Sequence, residues 1–290
     1  AVMPGFFDEV DSLGIVEDHI NAVLALEAAQ SDKIIASYSE VRNRLVDRLA
    51  RLPGGSFTAQ HLRGVLAQVQ GAIDAMNKGM RGNLREGAVD LSTLGINNLV
   101  EEIQLFDQEF SSAITPININ AAVAAQDTAN FLVDKYQTNL DAYGNDLLTQ
   151  ISNGLFSAAL GETNHEEVVG RIAKFFTAEE WKLRRIVRTE LHNIYNVGKL
   201  QGMGTLAETQ VPDLKKTLMH PLDSRTGKDS VYAATLGLVA EIDEPFFYVW
   251  KGKPREFMAP PDRPNDRAIL VPYRDEWGEA VGGSFVPEAF

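Results

Sequence analysis

Three short blocks in the second half of the chain contain the residue types that could perform chemistry. They are Arg188–Glu190, His220–Thr226 and Pro260–Arg267. Arginine guanidinium groups bind oxyanions through pairs of hydrogen bonds, and carboxylates can accept or release protons. The blocks are therefore compatible with two interpretations, an anion-binding site with acid–base groups or a set of architectural ion pairs.

The architectural interpretation explains every residue in the three blocks. An arginine fork can tie a carboxylate and loop carbonyls together, while aspartate, asparagine and proline define turns and limit loop freedom. On this view, replacing Arg188 or Arg225 with alanine reduces stability, by about 1–3 kcal/mol if the change leaves a buried partner unpaired. The predicted structural residues are Arg188, Glu190, Asp223, Arg225, Thr226, Pro261, Asn265 and Arg267.

The alternative is an enzyme, a transferase or a nuclease, that uses Arg188, Glu190, Asp223 and Arg225 as its anion-binding and acid–base group. This alternative predicts that the four side chains meet in a deep open pocket. No phosphate-binding loop, activated nucleophile or clustered metal ligands accompany them, and the five histidines are scattered. We therefore expect a protein without catalytic residues, cofactor or bound metal.

A basic cluster lies just before and within the first block. Its residues would follow successive turns of a helix and could contact DNA phosphates. An ion-paired helix face is the favoured interpretation, since Glu180 is four residues before Arg184. The residues with possible DNA contact are Arg171, Lys174, Lys182, Arg184 and Arg185.

Composition limits the function classes further. The 290 residues include 27 lysines and arginines against 40 aspartates and glutamates, which gives a net charge of −13 and excludes a general DNA-coating protein. Residues 1–160 carry −10 of that charge and residues 161–290 carry −3. The chain has no cysteine and so no disulfide or thiolate site. Its longest uncharged stretch, 110–126, contains Pro116, so we expect no membrane segment. The N-terminal sequence is acidic, with no basic region before an apolar run, so we expect no signal peptide.

The elements that must position the blocks begin with helices. The stripe Ile34–Leu52 advances in steps of three and four residues and ends at Pro53–Gly55. The stripes Leu62–Met80 and Ile96–Phe110 follow, separated by a stretch rich in glycine, Gly79–Gly95. We predict three amphipathic helices with their apolar faces in a core, and further helical sequence to residue 160.

The second half of the chain has a different pattern. Possible capping boxes start at Thr163 and Thr177, and a helix is predicted from Trp181 to about Met203 with Trp181 buried. Three short segments beyond it predict strands, 214–219, 245–250 and 268–273. The fold class is therefore α+β, a mostly α-helical N-terminal half followed by a small α+β domain with long loops. We place the domain boundary at 160/161, giving domains 1–160 and 161–290.

The three blocks, in this order, resemble the phage Mu F-like minor head proteins, the phage head morphogenesis family. In that family an Arg-Thr-Glu helix precedes an Asp-x-Arg-Thr segment and a closing Pro-Pro-x-x-Pro-Asn-x-Arg block. The match here runs from about Trp181 to Pro272. The order and spacing of the blocks carry the resemblance, since no block is specific by itself.

Several positions depart from the family pattern. Many members have a histidine before the Pro-Asn pair and cysteines flanking the final arginine. A further histidine is common shortly after the Asp-x-Arg-Thr segment. This chain has Arg263, Asp266 and Ala268 at the first three positions, and Asp229 or Ser230 near the fourth. Any metal held by those family residues could not be held in the same way here, so hydrogen bonds, ion pairs and packing must hold the motif.

The resemblance implies a minor structural protein of a tailed-phage head. Such a protein lies inside the capsid near the portal, and is present in the host cytoplasm during assembly. Its partners are the portal protein and other head proteins, and its role is head assembly and holding or releasing the genome. A local basic stripe could then contact packaged double-stranded DNA. A head–tail connector protein is a further alternative.

Overall fold

The computed structural model describes residues 11–51, 59–106, 133, 138, 141–156 and 165–277. It confirms the α+β class, because long helices precede a group of short strands. The helices are α1 (Asp11–Ala50), α2 (Ala59–Phe106), α3 (141–156) and α4 (His165–Thr209). Among the described parts of the chain, no helix is both long and apolar enough to cross a membrane.

The helix α2 corrects the prediction that Gly79–Gly95 separates two helices, since it continues through that stretch. The apolar face is maintained there by Met80, Leu84, Ala88 and Leu91, all of them buried at helical spacing. Burial of this face outweighs the lower helix propensity of the intervening glycines.

The helix α4 also differs from the prediction, because it begins well before Trp181. Thr177 does not cap a new helix; its hydroxyl donates to the carbonyl of Ala173, 3.1 Å away within the same helix. The prediction that Trp181 is buried was wrong: its side chain is 55% exposed, and the Arg185 guanidinium lies 4.8 Å from its ring centroid. The buried face of α4 instead passes through Leu183 and Val187.

The chain divides into two compact units. The motif unit contains the described residues 11–28, 87–106 and 188–277, and so includes all three sequence blocks. The helical unit contains the described residues 29–51, 59–86, 133, 138, 141–156 and 165–187. The predicted boundary at 160/161 lies outside the described residues, and the units divide the chain at other positions because the long helices contribute to both.

The helical unit has a core with aromatic residues at its centre. The Tyr38 hydroxyl donates to the carbonyl of Phe176 at 2.9 Å, and the Tyr143 hydroxyl lies 3.2 Å from the Tyr38 hydroxyl. The predicted stripe on α1 is confirmed where it is described. Its buried members are Ile34, Tyr38, Val41, Leu45 and Leu49.

The motif unit contains the described strands and one further helix. In chain order these elements are β1 (Lys215–Met219), α5 (Lys228–Thr235), β2 (Val239–Glu241), β3 (Phe246–Trp250), β4 (Lys253–Phe257), β5 (Ile269–Tyr273) and a 3-10 turn, Asp275–Trp277. The strand β1 pairs antiparallel with β2 and β5, and β3 pairs with β4. The three predicted strands are therefore confirmed as β1, β3 and β5.

One hydrophobic core joins these elements within the motif unit. Leu99 and Ile103 of α2 meet Met203 and Leu206 of α4, and Leu270 of β5 packs against the same cluster. The close approach of α2 and α4 depends on small residues, because a Cβ atom at Gly95 would lie 2.6 Å from the carbonyl oxygen of Tyr195. The core therefore positions the first block on α4 next to the strand that follows the third block.

Candidate functional site

The centre of the candidate site is the Asp223 carboxylate. Both terminal nitrogens of the Arg267 guanidinium donate to it, with Nη1 2.8 Å from Oδ2. Arg225 Nη2 lies 3.0 Å from the same Oδ2. The Arg267 guanidinium holds the pKa of Asp223 well below its usual range, and Arg225 adds to that effect. Asp223 is therefore an ionised acceptor, and the second and third sequence blocks meet at this carboxylate.

Thr226 completes the loop around Asp223. Its hydroxyl donates to the carbonyl of Pro221, and it accepts from the Asp223 N–H at 3.1 Å and from Arg267 Nη2 at 3.2 Å. Asp223 also accepts from the Arg225 N–H at 2.9 Å. These bonds define the turn.

Two buried polar residues of α4, shortly after the first block, bond to the chain that directly follows the third block. Asn196 Oδ1 accepts the Leu270 N–H at 2.8 Å, and His192 Nε2 donates to the Ala268 carbonyl at 2.6 Å. The Leu270 N–H lies on β5 and the Ala268 carbonyl just before it. The two side chains provide the hydrogen-bond partners that no neighbouring strand supplies to these backbone groups. Helix α4 therefore fixes the end of the closing block.

His192 also forms a buried pair with Glu27 of α1, with 2.6 Å between Nδ1 and Oε1. Because the Ala268 carbonyl can only accept, Nε2 carries one hydrogen, and a further proton joins Nδ1 to the carboxylate. Burial acts to lower the pKa of His192, but the adjoining Glu27 carboxylate raises it overall. The pair thus retains its shared proton and is neutral as a unit.

A cavity of about 580 Å³ opens beside these residues within the motif unit. Helix α1 contributes mainly apolar lining residues together with Asn21 and Glu27, and α4 with the two loops contributes polar ones. Of the predicted structural residues, four line it: Arg188, Arg225, Asn265 and Arg267. Asn265 adopts a left-handed backbone conformation with φ of 66°, which turns the chain at the cavity edge.

The remaining predicted residues lie elsewhere. Glu190 is half-buried and is not among the residues that line the cavity. Pro261 follows Pro260 through a cis peptide bond in the loop before Asn265. The enzyme alternative predicted that four side chains meet in one pocket. Of these four, only Arg188 and Arg225 line the cavity, and Asp223 is bonded within its own loop.

The expected stability role of Arg188 and Arg225 also needs correction. Arg188 is exposed, with no hydrogen bond or ion pair to another described residue, and the Arg225 side chain is 67% exposed. The less exposed partner of Asp223 is instead Arg267, whose side chain is 17% exposed. Replacing Arg267 therefore leaves Asp223 underpaired, while replacing Arg188 leaves no buried group unpaired.

A second polar cluster holds the beginning of the closing block. Arg263 Nε lies 2.9 Å from Asp229 Oδ2, and the same guanidinium bonds to Asp262 and to the Ser230 hydroxyl. Asp266 accepts from the Asp262 N–H at 3.3 Å and lies 3.4 Å from the Ser230 hydroxyl. Ion pairs and hydrogen bonds therefore hold this part of the motif.

His220 of the second block lies near this cluster and is only 3% exposed. Neither ring nitrogen has a hydrogen-bond partner among the described residues. Burial lowers the pKa of His220, so the ring is neutral at pH 7. Within the described residues no group of three or more His, Asp or Glu side chains could hold a metal ion.

The basic stripe belongs to the helical unit and is largely ion-paired. Arg171 bonds to Glu167 at 2.6 Å, and Lys182 bonds to Glu179 at 2.7 Å. Arg184 pairs with Asp32 and lies 3.7 Å from Glu180. Arg185 packs on the Trp181 ring, and Lys174 is exposed. The ion-paired interpretation therefore describes most of the stripe.

Sequence reasoning missed Glu27 and the pairing of His192. One signal for His192 was present, because Arg188, His192 and Asn196 are four residues apart and share a face of α4. Nothing in the sequence marks Glu27 among the other acidic residues of the first helix.

No family model, curated protein or solved structure matches this chain. The likeness to the Mu F-like proteins therefore remains a prediction from the three sequence blocks.

The Asp223 cluster leads to a prediction about acid stability. The change Asp223→Asn should lower the free energy of unfolding by about 1–3 kcal/mol at pH 7, because the Arg267 guanidinium loses its ionised partner. The folded-state pKa is depressed, so this stabilisation is complete above the unfolded carboxyl pKa of about 3.9 and disappears as pH falls toward the folded value. Urea unfolding between pH 7 and pH 3 measures the difference.

The exposed Glu256 provides a matched control. The change Glu256→Gln also removes one carboxylate from the motif unit, and should alter stability by less than about 0.5 kcal/mol. A wild-type stability equal to that of the Asp223→Asn variant at pH 7 would contradict the role assigned to Asp223.

Proposed function

We propose that this chain is a minor structural protein of a tailed-phage head, internal to the capsid and associated with the portal. It would act in head assembly and in holding or releasing the genome, with the portal protein and other head proteins as its partners. The proposal rests on the three sequence blocks and on the way their family-specific positions meet in space.

That meeting is the single observation that carries the proposal. Mu F-like proteins often have histidines where this chain has Arg263 and, near a second position, Asp229 or Ser230. Here Arg263 pairs with Asp229 and bonds to Ser230. Asp266, at one of the family's cysteine positions, lies 3.4 Å from Ser230. Positions that are distant in the sequence therefore form one polar cluster, as a shared family site would require.

The same geometry favours a structural role over catalysis. Asp223 is ionised and bonded to Arg267 and Arg225, so it is poorly suited to be a general acid. Its bonds to the loop and to the closing block are those of an architectural tie. We therefore propose a protein without an enzymatic reaction of its own.

Co-expression with the portal protein of the same phage tests the proposal. We expect the tagged chain to retain the portal through affinity and size-exclusion steps, and a reconstruction of the virion to place its density inside the shell near the portal. The major capsid protein, expressed with the same tagged chain, controls for non-specific retention. Absence of the chain from purified virions, or failure to retain the portal, would overturn the proposal.

Most of the basic stripe is ion-paired, so contact with DNA would have to use the cations that remain. Within the stripe, Lys174 is exposed and has no ion pair to another described residue. Binding of the chain to double-stranded DNA at several salt concentrations tests this part, since phosphate contact requires affinity to fall as salt rises. An affinity unaffected by salt would remove DNA from the list of partners.

The second candidate function is an enzyme, a transferase or a nuclease. The observation in its favour is that Arg188 and Arg225 line a cavity of about 580 Å³. A plasmid-cleavage assay with Mg²⁺ tests the nuclease form of this candidate, with Arg188→Gln as the inactive control. A head–tail connector role is separated from the preferred proposal by location, because a connector lies outside the shell.

A further inference from the structure

The cavity beside Asp223 has the size of a small-molecule site. Its volume of about 580 Å³ falls in the range of about 300–1,000 Å³ that such sites occupy. All of its lining residues belong to the motif unit, on α1, on α4 and in the loops around Arg225 and Arg267. The site therefore lies entirely within one unit.

One wall of the cavity is formed by α1, and its lining residues are four apolar ones together with Asn21 and Glu27. Ile20, Leu24 and Ala28 are four residues apart on α1, and Ala25 lies beside them on the same helix face. Ala25 is exposed, so the wall is accessible from the opening. Such a surface packs against an aromatic or aliphatic body.

Guanidinium groups from α4 and from the two loops also line the cavity. Arg188 is exposed and has no hydrogen bond or ion pair to another described residue. Arg225 uses Nε and Nη2 on Asp223, at 3.1 and 3.0 Å, and no bond of its Nη1 to a described residue is found. Both arginines line the cavity and keep unused donors, and guanidinium donors suit an oxyanion.

The charges around the cavity favour an anionic ligand. Three arginines line it, and the carboxylates that oppose them are Asp223, which is shared by two of the arginines, and Asp266. Glu27 also lines the cavity but is neutralised by its proton-sharing partner His192. One positive charge is therefore left in excess, and Arg188 carries it.

We propose that this cavity binds a small molecule that carries one phosphate or carboxylate group on an apolar or aromatic body. Arg188 and Arg225 would hold the oxyanion, and the α1 face would pack the body. This binding site goes beyond the proposed head function. Loss of ligand binding and loss of portal association are separate measurements, so either proposal can fail alone.

Calorimetric titration of the full chain tests the site. The probes are adenosine monophosphate and N-acetylphenylalanine, which combine an oxyanion with an aromatic body, and inorganic phosphate and adenosine, which each lack one half. We expect at least one complete probe to bind with Kd below about 1 mM, and each incomplete probe to bind at least about tenfold more weakly. The stronger of the two complete probes distinguishes a phosphate ligand from a carboxylate ligand.

Three variants connect binding to the geometry. The change Arg188→Gln should weaken the best probe at least about tenfold, because it removes the unpaired charge. Lys253→Gln removes one exposed charge from the hairpin β3–β4 of the same unit and should change Kd by less than about twofold. Ala25→Trp should block the body of the ligand by filling the apolar side while leaving the arginines in place.

Circular dichroism and thermal unfolding would establish that the variants are folded. If none of the four probes binds to the wild-type chain, or if Arg188→Gln binds the best probe as tightly as Lys253→Gln does, the cavity is not the anion site proposed here.

Discussion

Replacing Glu102 with leucine should lower the free energy of unfolding by about 3–5 kcal/mol, because the change leaves a buried lysine without its counter-ion. Glu102 and Lys199 are both fully buried in the motif unit, with 2.5 Å between Oε1 and Nζ. His19 Nδ1 also lies 2.9 Å from Glu102 Oε1. Burial lowers the pKa of Lys199, and the Glu102 carboxylate opposes that shift. Chemical denaturation at pH 7 measures the loss.

The neighbouring residue provides the control. Glu101 contacts the same histidine, with 3.0 Å between its Oε2 and His19 Nε2, but its side chain is 63% exposed. Glu101→Leu should therefore change stability by less than about 1 kcal/mol. The double variant Glu102→Leu with Lys199→Met should recover most of the loss, because it removes both buried charges. A small effect of Glu102→Leu alone would show that Lys199 finds another partner.

The second large effect is expected at Gly95. The change Gly95→Ala should destabilise the motif unit by about 3 kcal/mol, although alanine favours helices, because the new Cβ would meet backbone. It would lie 2.6 Å from the carbonyl oxygen of Tyr195 and 3.3 Å from the backbone nitrogen of Lys199, so α2 and α4 would have to move apart. Thermal and urea unfolding of the variant measure the effect.

Gly204 is the matched control for this prediction. It is a helical glycine of the same unit, and a Cβ there would make only an ordinary contact with Ile242, at 3.9 Å. Gly204→Ala should therefore leave stability unchanged or raise it by up to about 1 kcal/mol through helix propensity. If both alanine variants behaved alike, the close approach of the two helices would not be the reason for the glycine.

Local sequence patterns predicted the elements whose signals are local. The stripe around Tyr38 on α1 and the aromatic and β-branched run of β3 were confirmed, because burial requires period 3.6 in a helix and favours such residues in a strand. The continuity of α2 through the stretch rich in glycine was missed, since it depends on burial of Leu84 and Leu91 against the rest of the fold. The strand β4 was also missed, because its exposed sequence has no apolar alternation.

Some features of the candidate site could likewise be predicted from the sequence, and others could not. The residue types of the three blocks, and their tendency to form turns and ion pairs, were readable from the sequence. The main partner of Asp223 was not readable from the sequence. Arg225 is two residues away, but Arg267, 44 residues later, donates to both carboxylate oxygens. Sequence separation does not indicate which of several arginines the fold brings to one carboxylate.

The sequence by itself determined the α+β class, the absence of cysteine chemistry, the uneven distribution of acidic charge and the three blocks that resemble the Mu F-like proteins. These properties depend on composition and on short-range periodicity, which are fixed by the order of residues. Only the tertiary structure decided that Glu27 neutralises His192, that Glu102 and Lys199 are buried together, and that Arg188 and Arg225 line a cavity. Each of these depends on contacts between distant segments, whose geometry is set by packing of the whole unit.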